Sequence, residues 1–197
     1  MNLRADTPPE VAPSLREYRD TLLGIAEASI DHGLDHGEPL AVDARDYPVA
    51  LQAEHATFVT LLDGAGCLRG CVGTLEAQQP VVGDVSMNAY AAAFEDPRFP
   101  PLSRHGRAGL TSKLSVLTPP EPMDFDSEAD LVSRLEPHVD GLLIEAGRRR
   151  GTFLPAVWEQ IPDPGAFWLA LKHKAGLARG DFPEDLRVYH YRAAHIS

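Results

Sequence analysis

The first apolar positions of the chain recur with the period of a helix. Leu15, Tyr18, Leu22, Ile25, Ser29 and Ile30 form one stripe; Ser14 and Glu17 make a Ser-x-x-Glu capping box ahead of it, and Gly33 is placed to end it. Residues 33–48, rich in Gly, Asp and Pro, predict a connection. The period then changes. Ala56–Leu62 is β-branched and apolar, a buried strand; Asp63-Gly64-Ala65-Gly66 is a turn, and Cys67–Leu75 returns as the second arm of a hairpin. Pro80 suits the first turn of a helix running to about Phe94, with Val81, Val82, Val85, Ala89 and Ala92 on its inner face. Three prolines make Asp96-Pro97-Arg98-Phe99-Pro100-Pro101 a rigid loop. Ala108–Leu117 is a further strand, and Ser127 with Asp130 caps a short helix through Leu135. Asp140–Ala146 and Gly151–Leu154 flank an arginine-rich turn as a second hairpin, and Pro155–Gln160 is a helical turn. Asp163 caps and Pro164 opens a helix that ends at Gly176; Arg187–His195 alternates as the last strand.

These elements predict an α+β fold. One stretch echoes another: a hairpin ending Gly73-Thr74-Leu75 precedes Pro80 and a helix, and a hairpin whose second arm begins Gly151-Thr152-Phe153 precedes Pro155 and a helix. The expected architecture is a pair of duplicated hairpin-plus-helix units around a mainly antiparallel sheet. The pseudo-repeats fall at about 50–105 and 108–196 of one domain, 14–197, behind a loose, polar leader, 1–13.

Composition narrows the function classes. At 197 residues the chain is long enough to bury a core without disulfides or a structural metal. Its 44% hydrophobic and 24% charged residues are those of a soluble globular protein, and no apolar run approaches a membrane span. The leader lacks the apolar segment of a secretory signal, so a cytoplasmic location is the default expectation. A net charge of −11 repels phosphate backbones and argues against nucleic acid as the main partner. The one cationic run, Arg148-Arg149-Arg150, sits in a predicted turn, where a solvated turn and an anion site both fit. No Ser-His-Asp order, phosphate loop or His-Glu-x-x-His motif appears. His32 and His36 are four apart, but Gly33 between them argues against a shared helical face, and His190 follows the alternation of the last strand. No cofactor and no metal site is expected.

The strand around Gly66-Cys67-Leu68-Arg69-Gly70-Cys71-Val72-Gly73 holds both cysteines. Alternation puts Cys67, Arg69, Cys71 and Gly73 on one face and Leu68, Gly70, Val72 and Thr74 on the other. The two cysteines stand four residues, or about 13 Å, apart along a regular strand, beyond the roughly 7 Å a disulfide spans. Zinc-knuckle spacing is also absent. Arg69 shares the face of Cys71, and a nearby cation favours thiolate. Gly70 and Gly73 mark a bulge or the close approach of a backbone or ligand. A small reactive thiol with an open approach and a buried structural cysteine both fit these residues.

The hexapeptide Leu68-Arg69-Gly70-Cys71-Val72-Gly73 resembles the hallmark Leu-Arg-Gly-Cys-Ile-Gly of the AMMECR domain family, with Val72 as the single departure. Further stretches resemble the family in the same order: Phe58-Val59-Thr60-Leu61, Asn88-Ala89, Asp96-Pro97-Arg98-Phe99-Pro100-Pro101-Leu102, Leu114-Ser115-Val116-Leu117, Asp140-Gly141-Leu142, Arg150-Gly151-Thr152-Phe153-Leu154-Pro155 and Lys174-Ala175-Gly176-Leu177. The resemblance runs from about residue 14 to the C-terminus. It implies a duplicated α+β fold and no settled activity. Prokaryotic members are called AmmeMemoRadiSam system protein A and often sit beside a Memo-type protein and a radical-SAM protein. An accessory or adaptor role with such partners is therefore the first expectation. The alternative is a cysteine-dependent enzyme in which Cys71 is the nucleophile and Arg69 lowers its pKa or holds a small anionic substrate. Around them, Gly70, Gly73, Asp84, Asn88, Asp96, Arg98, Thr152 and Lys174 are the expected pocket residues.

Overall fold

The computed structural model describes residues 13–197, with side chains from Leu15 onward. The described elements run in the order α1 (Pro13–Glu17), α2 (Arg19–His36), α3 (Val49–Gln52), β1 (Thr57–Leu62), β2 (Leu68–Gly73), α4 (Val81–Phe94), β3 (Thr111–Leu117), β4 (Glu121–Pro122), α5 (Glu128–Arg134), β5 (Gly141–Ala146), β6 (Arg149–Phe153), α6 (Pro164–Lys174), β7 (Arg187–Tyr191) and β8 (Ala193–Ile196). Three 3-10 turns join them, at Ala44–Asp46, His105–Arg107 and Pro155–Glu159. The fold is α+β, with two four-stranded sheets of order β2-β1-β3-β8 and β4-β7-β5-β6. The described residues divide into two compact units, one of residues 13–118 with Ala194–Ser197 and one of Pro119–Ala193. Among the described residues no helix is long and apolar enough to cross a membrane.

In the first unit, β1 is paired antiparallel with β2 and with β3. Its side chains alternate between buried Thr57, Val59 and Leu61 and half-buried Phe58, Thr60 and Leu62. Val59, Leu61, Leu114 and Val116 meet Val81, Val82, Val85, Ala89 and Ala92 of α4 and Leu22, Ile25 and Ile30 of α2 in one core cluster. The helix–sheet contact is close because Gly70 faces α4. A Cβ at that position would stand 2.0 Å from the Ala92 carbonyl oxygen. A buried carboxylate ties α4 to the sheet. Asp84, 1% exposed, accepts hydrogen bonds from the Thr57 amide (2.8 Å) and hydroxyl (2.6 Å), from Asn88 Nδ2 (2.9 Å) and from the Thr74 hydroxyl (3.0 Å).

Four expectations need correction. The stripe beginning at Leu15 belongs to two helices meeting at Tyr18. The capping side chain of Ser14, and the leader apart from Pro13, lie outside the described residues. Gly33 does not end α2. It is an interior glycine required by packing, since a Cβ there would lie 2.4 Å from Phe94 Cε2 and 2.8 Å from Tyr90 Cδ2. The helix stops one turn later at Gly37, whose φ of 77° is the left-handed conformation that glycine adopts freely, with its N–H donating to the Gly33 carbonyl. His32 and His36 therefore do share a helical face. The last strand is two strands. Its alternation is continuous, but β7 belongs to the second sheet and β8 to the first, with the break at Arg192.

In the second unit, β5 is the antiparallel partner of both β6 and β7, and β4 pairs with β7. Leu142, Ile144 and Val188 of this sheet pack with Phe167, Trp168 and Leu171 of α6, and Trp158 stacks on Phe167 with ring centroids 3.7 Å apart. Ser127 accepts from the Asp130 amide and Asp163 from the Ala166 amide, the two N-caps expected from their residue types.

Two glycines should respond oppositely to alanine. Gly70→Ala drives a Cβ into backbone and should cost about 3 kcal/mol of stability. Gly24→Ala, exposed in the middle of α2 with open space around it, should gain about 1 kcal/mol. Thermal unfolding of both variants measures this. Asp84→Ala removes the acceptor shared by the Thr57, Asn88 and Thr74 donors and should lower stability by about 3 kcal/mol, with hydrogen exchange fastest along α4.

Candidate functional site

The site forms on the face of the first sheet that α4 does not cover. Gly70 presses against α4, so its neighbours Arg69 and Cys71 are on the opposite face of β2. Thr60 lies directly across from Cys71 on β1, and its hydroxyl oxygen stands 3.2 Å from Cys71 Sγ. Lys113 of β3 is the next residue in the same row, opposite Thr60, and its side chain is exposed. Ser115 and His195, 3.0 Å apart at Oγ and Nδ1, continue this face toward β8. Both cysteines are free thiols, Cys67 exposed and Cys71 half-buried.

β2 is the edge of its sheet, so the Cys71 N–H and C=O on its outer side need partners other than a strand. The proline-rich loop supplies them. The Cys71 N–H donates to Asp96 Oδ2 (2.9 Å), and Arg98 Nη2 donates to the Cys71 carbonyl (3.1 Å). Asp96 and Arg98 are themselves joined fork to fork, with Nε to Oδ1 at 2.9 Å and Nη2 to Oδ2 at 2.6 Å. Asp96 is 4% exposed. The side-chain hydrogen bonds from Arg98 hold its carboxyl far below the usual carboxylate range, against the opposing effect of burial. Asp96 in turn raises the Arg98 guanidinium, and the nearby Cys71 adds to that shift.

Arg69 is directed at the same loop. Its Nη2 donates to the Pro100 carbonyl (2.6 Å), and its guanidinium lies 5.7 Å from the Phe99 ring centroid. Arg98 lies 5.5 Å from that ring, so Phe99 has a cation on each of two neighbours. Arg69 Nη1 is buried with no hydrogen-bond partner among the described residues. The guanidinium bound to the backbone of Cys71 is thus that of Arg98.

The other expected pocket residues fall elsewhere. Gly73 has no open space: a Cβ would meet Phe58 Cγ and the Thr57 carbonyl oxygen, each at 2.3 Å. Asp84 and Asn88 face the inner side of the sheet, where Asn88 Nδ2 donates to the Thr57 carbonyl (3.1 Å). Thr152 and Lys174 belong to the second unit and contact one another. Lys174 Nζ donates to the Thr152 carbonyl (2.9 Å) and stands 5.1 Å from the Phe153 ring, while the Thr152 hydroxyl is 2.8 Å from that of Tyr191. Arg149 and Arg150 stand 3.7 Å and 3.3 Å from the carboxylates of Asp181 and Glu145. Among the described residues no group of three or more His, Cys, Asp or Glu is placed to hold a metal. Sequence reasoning missed Thr60 and Lys113. Outward alternation on each strand marks them, but only the register between strands sets Thr60 beside Cys71 and Lys113 beside Thr60.

The Asp96 carboxyl makes stability depend on pH. Folding depresses it, so its contribution is complete above the unfolded-state value near 4 and disappears as pH falls below that. Asp96→Asn should lose about 2 kcal/mol at neutral pH, and the gap to wild type should narrow steadily as pH falls below about 4, part of it persisting at about pH 2, in denaturant titrations.

Comparison with known proteins identifies the family. The AMMECR1 family model matches residues 23–196. A protein of Methanothermobacter thermautotrophicus is 36% identical over 184 residues, covering 92% of this chain and 95% of that one. A protein of Thermofilum pendens is 33% identical over 183 residues, covering 87% and 85%. The crystal structure of the uncharacterised protein PH0010 from Pyrococcus horikoshii superposes with a TM-score of 0.81 at 31% identity, covering 91% of this chain and 90% of that one. The chain therefore belongs to the AMMECR1 family.

Proposed function

We propose that this protein acts through Cys71, as a thiol nucleophile toward a small electrophile that carries an anionic group. The observation that supports this most directly is a half-buried free sulfur with a hydroxyl 3.2 Å away, on a sheet face bearing an exposed lysine in the same row. In this reading Sγ forms the bond to the electrophilic carbon as the bond from that carbon to its leaving group breaks, the leaving group departs with the electron pair, the thiol proton leaves to solvent, and Thr60 holds the sulfur in its rotamer. Lys113 and the solvent-facing side of Arg98, whose side chain is 53% exposed, attract the anionic group. Asp96 fixes the strand edge so that the sulfur and the cations keep their spacing.

A second reading is favoured by one feature: the groups that meet the sulfur are the Thr60 hydroxyl and the Arg98 guanidinium, and neither is a general base. A thiol without a base suits an accessory protein that completes its chemistry with others. The partners of this role are the Memo-type and radical-SAM proteins implied by the family resemblance, in a cytoplasmic setting. Association of the purified protein with either partner at micromolar concentration, weakened by Cys71→Ser, would support it; association unaffected by that variant would leave only an adaptor role.

The nucleophile reading is tested in a Cys67→Ala background. Cys71 should be alkylated in the folded protein, and Lys113→Ala should lower the iodoacetate rate about threefold relative to the neutral iodoacetamide rate. Alkylation that occurs only after unfolding would eliminate the reading.

A further inference from the structure

We propose that the cleft between α5 and α6 binds a small monocarboxylate with an aliphatic or aromatic body. The cleft has a volume of about 470 Å³ and belongs wholly to the second unit, so it shares no residue with the Cys71 site. Ala129 and Val132 of α5 and Trp168 and Leu169 of α6 supply its apolar lining. Small molecules bind in clefts of this size and kind, mostly apolar with a few fixed polar groups that set orientation and selectivity.

The polar groups here are Glu128 and Arg179, and only one of the two charges is left for a ligand. Glu128 Oε1 accepts from Lys172 Nζ (2.7 Å) and from Trp168 Nε1 (2.6 Å). Burial pushes the Glu128 carboxyl up, but the hydrogen bonds from Lys172 and Trp168 outweigh it and hold the group below its ordinary value. The Lys172 ammonium is fully buried, so little water screens it from the carboxylate it neutralises. Arg179 is exposed, and its guanidinium has no carboxylate partner among the described residues. The balance of Glu128, Lys172 and Arg179 is therefore one positive charge, in a chain whose net charge is −11.

An arginine on a loose loop makes a poor anchor, but the backbone of this one is fastened. Lys172 Nζ donates to the Arg179 carbonyl (2.8 Å). The turn around it is closed by the Ala178 N–H donating to the Asp181 carboxylate (2.9 Å) and the Asp181 N–H donating to the Ala178 carbonyl (3.0 Å). Lys172 thus both cancels the charge of Glu128 and holds the free cation at the cleft. A guanidinium grips a carboxylate through two parallel hydrogen bonds, and the half-buried Val132 and Leu169 offer apolar surface to the rest of the molecule. A ligand with a second anionic group would place an uncompensated charge against that apolar lining, and a cationic one would meet the unpaired guanidinium.

Titration of the full chain with octanoate, octanol and octylamine, followed by nuclear magnetic resonance, tests the site. The chain has two tryptophans, and Trp168 is the one in the cleft lining. Octanoate should shift the Trp168 indole N–H signal and not that of Trp158, saturating with a dissociation constant below about 1 mM. Octanol and octylamine should bind more weakly. Arg179→Gln should weaken octanoate at least about tenfold and leave octanol within about twofold, which separates the charge contact from the apolar one. Ala129→Phe, at an exposed position, should fill the cleft and remove both ligands. No saturable shift up to about 5 mM octanoate, octylamine binding as tightly as octanoate, or an octanoate affinity unchanged in Arg179→Gln would overturn the proposal.

Discussion

The carboxylate of Asp96 receives four hydrogen bonds: the Arg98 amide and Nε at one oxygen, and Arg98 Nη2 and the Cys71 amide at the other. Through them a loop that could not pair as a strand completes the open edge of β2. The arrangement does the work of a neighbouring strand with two side chains, an acceptor for Cys71 N–H and a donor for its carbonyl. Taking a carboxylate out of water costs several kcal/mol, and charge-assisted bonds at both oxygens offset that cost. Arg98 keeps half of its side chain in solvent, so the attraction within the pair is screened, and the bonds to Cys71 and to the loop backbone give the pair much of its value.

The glycines around the cysteine show how the sheet supports this edge. In sequence, Gly70 and Gly73 suggest room for something to approach. The structure fills both places with the protein itself, the Ala92 backbone at one and the Phe58 ring with the Thr57 carbonyl at the other. The close helix contact behind Gly70 turns Cys71 and Arg69 to the far face. The ring over Gly73 walls that face at one end. The missing side chains of its own strand thus leave no room at the thiol, whose nearest partner across the strands is Thr60.

Much of this was legible in the sequence. Strand alternation, proline and aspartate caps and the hairpin turns located nearly every element, and the α+β class followed from their order. Asp96 and Arg98 were legible as a pair because a rigid Asp-Pro-Arg loop brings a carboxylate and a guanidinium together. What escaped were the features that depend on contacts distant in sequence. Gly33 looked like a helix stop because composition signals a break, whereas the Phe94 and Tyr90 rings decide its role. Residues 187–195 alternate without interruption, and nothing in a period of two says that Arg192 separates strands of different sheets. Asp84 and Asn88 share a helical face as expected, but Thr57 draws that face inward.

The same logic explains why the two polar clusters of α4 and of the loop cannot exchange roles. Among the described residues Asp84 meets only neutral donors, from Thr57, Asn88, Thr74 and Gln79, and so acts as a fixed rivet. Asp96 meets a guanidinium whose remaining side reaches water. A carboxylate held by neutral donors leaves its charge wholly inside the fold, while one held by an exposed arginine extends a neutralised, hydrogen-bonding edge to the surface. The chemistry proposed for Cys71 would use the second arrangement, whose cation is half in solvent and interacts with the cysteine. That difference, set by which partner lies opposite each aspartate, is what separates an anchor from a candidate site in this sheet.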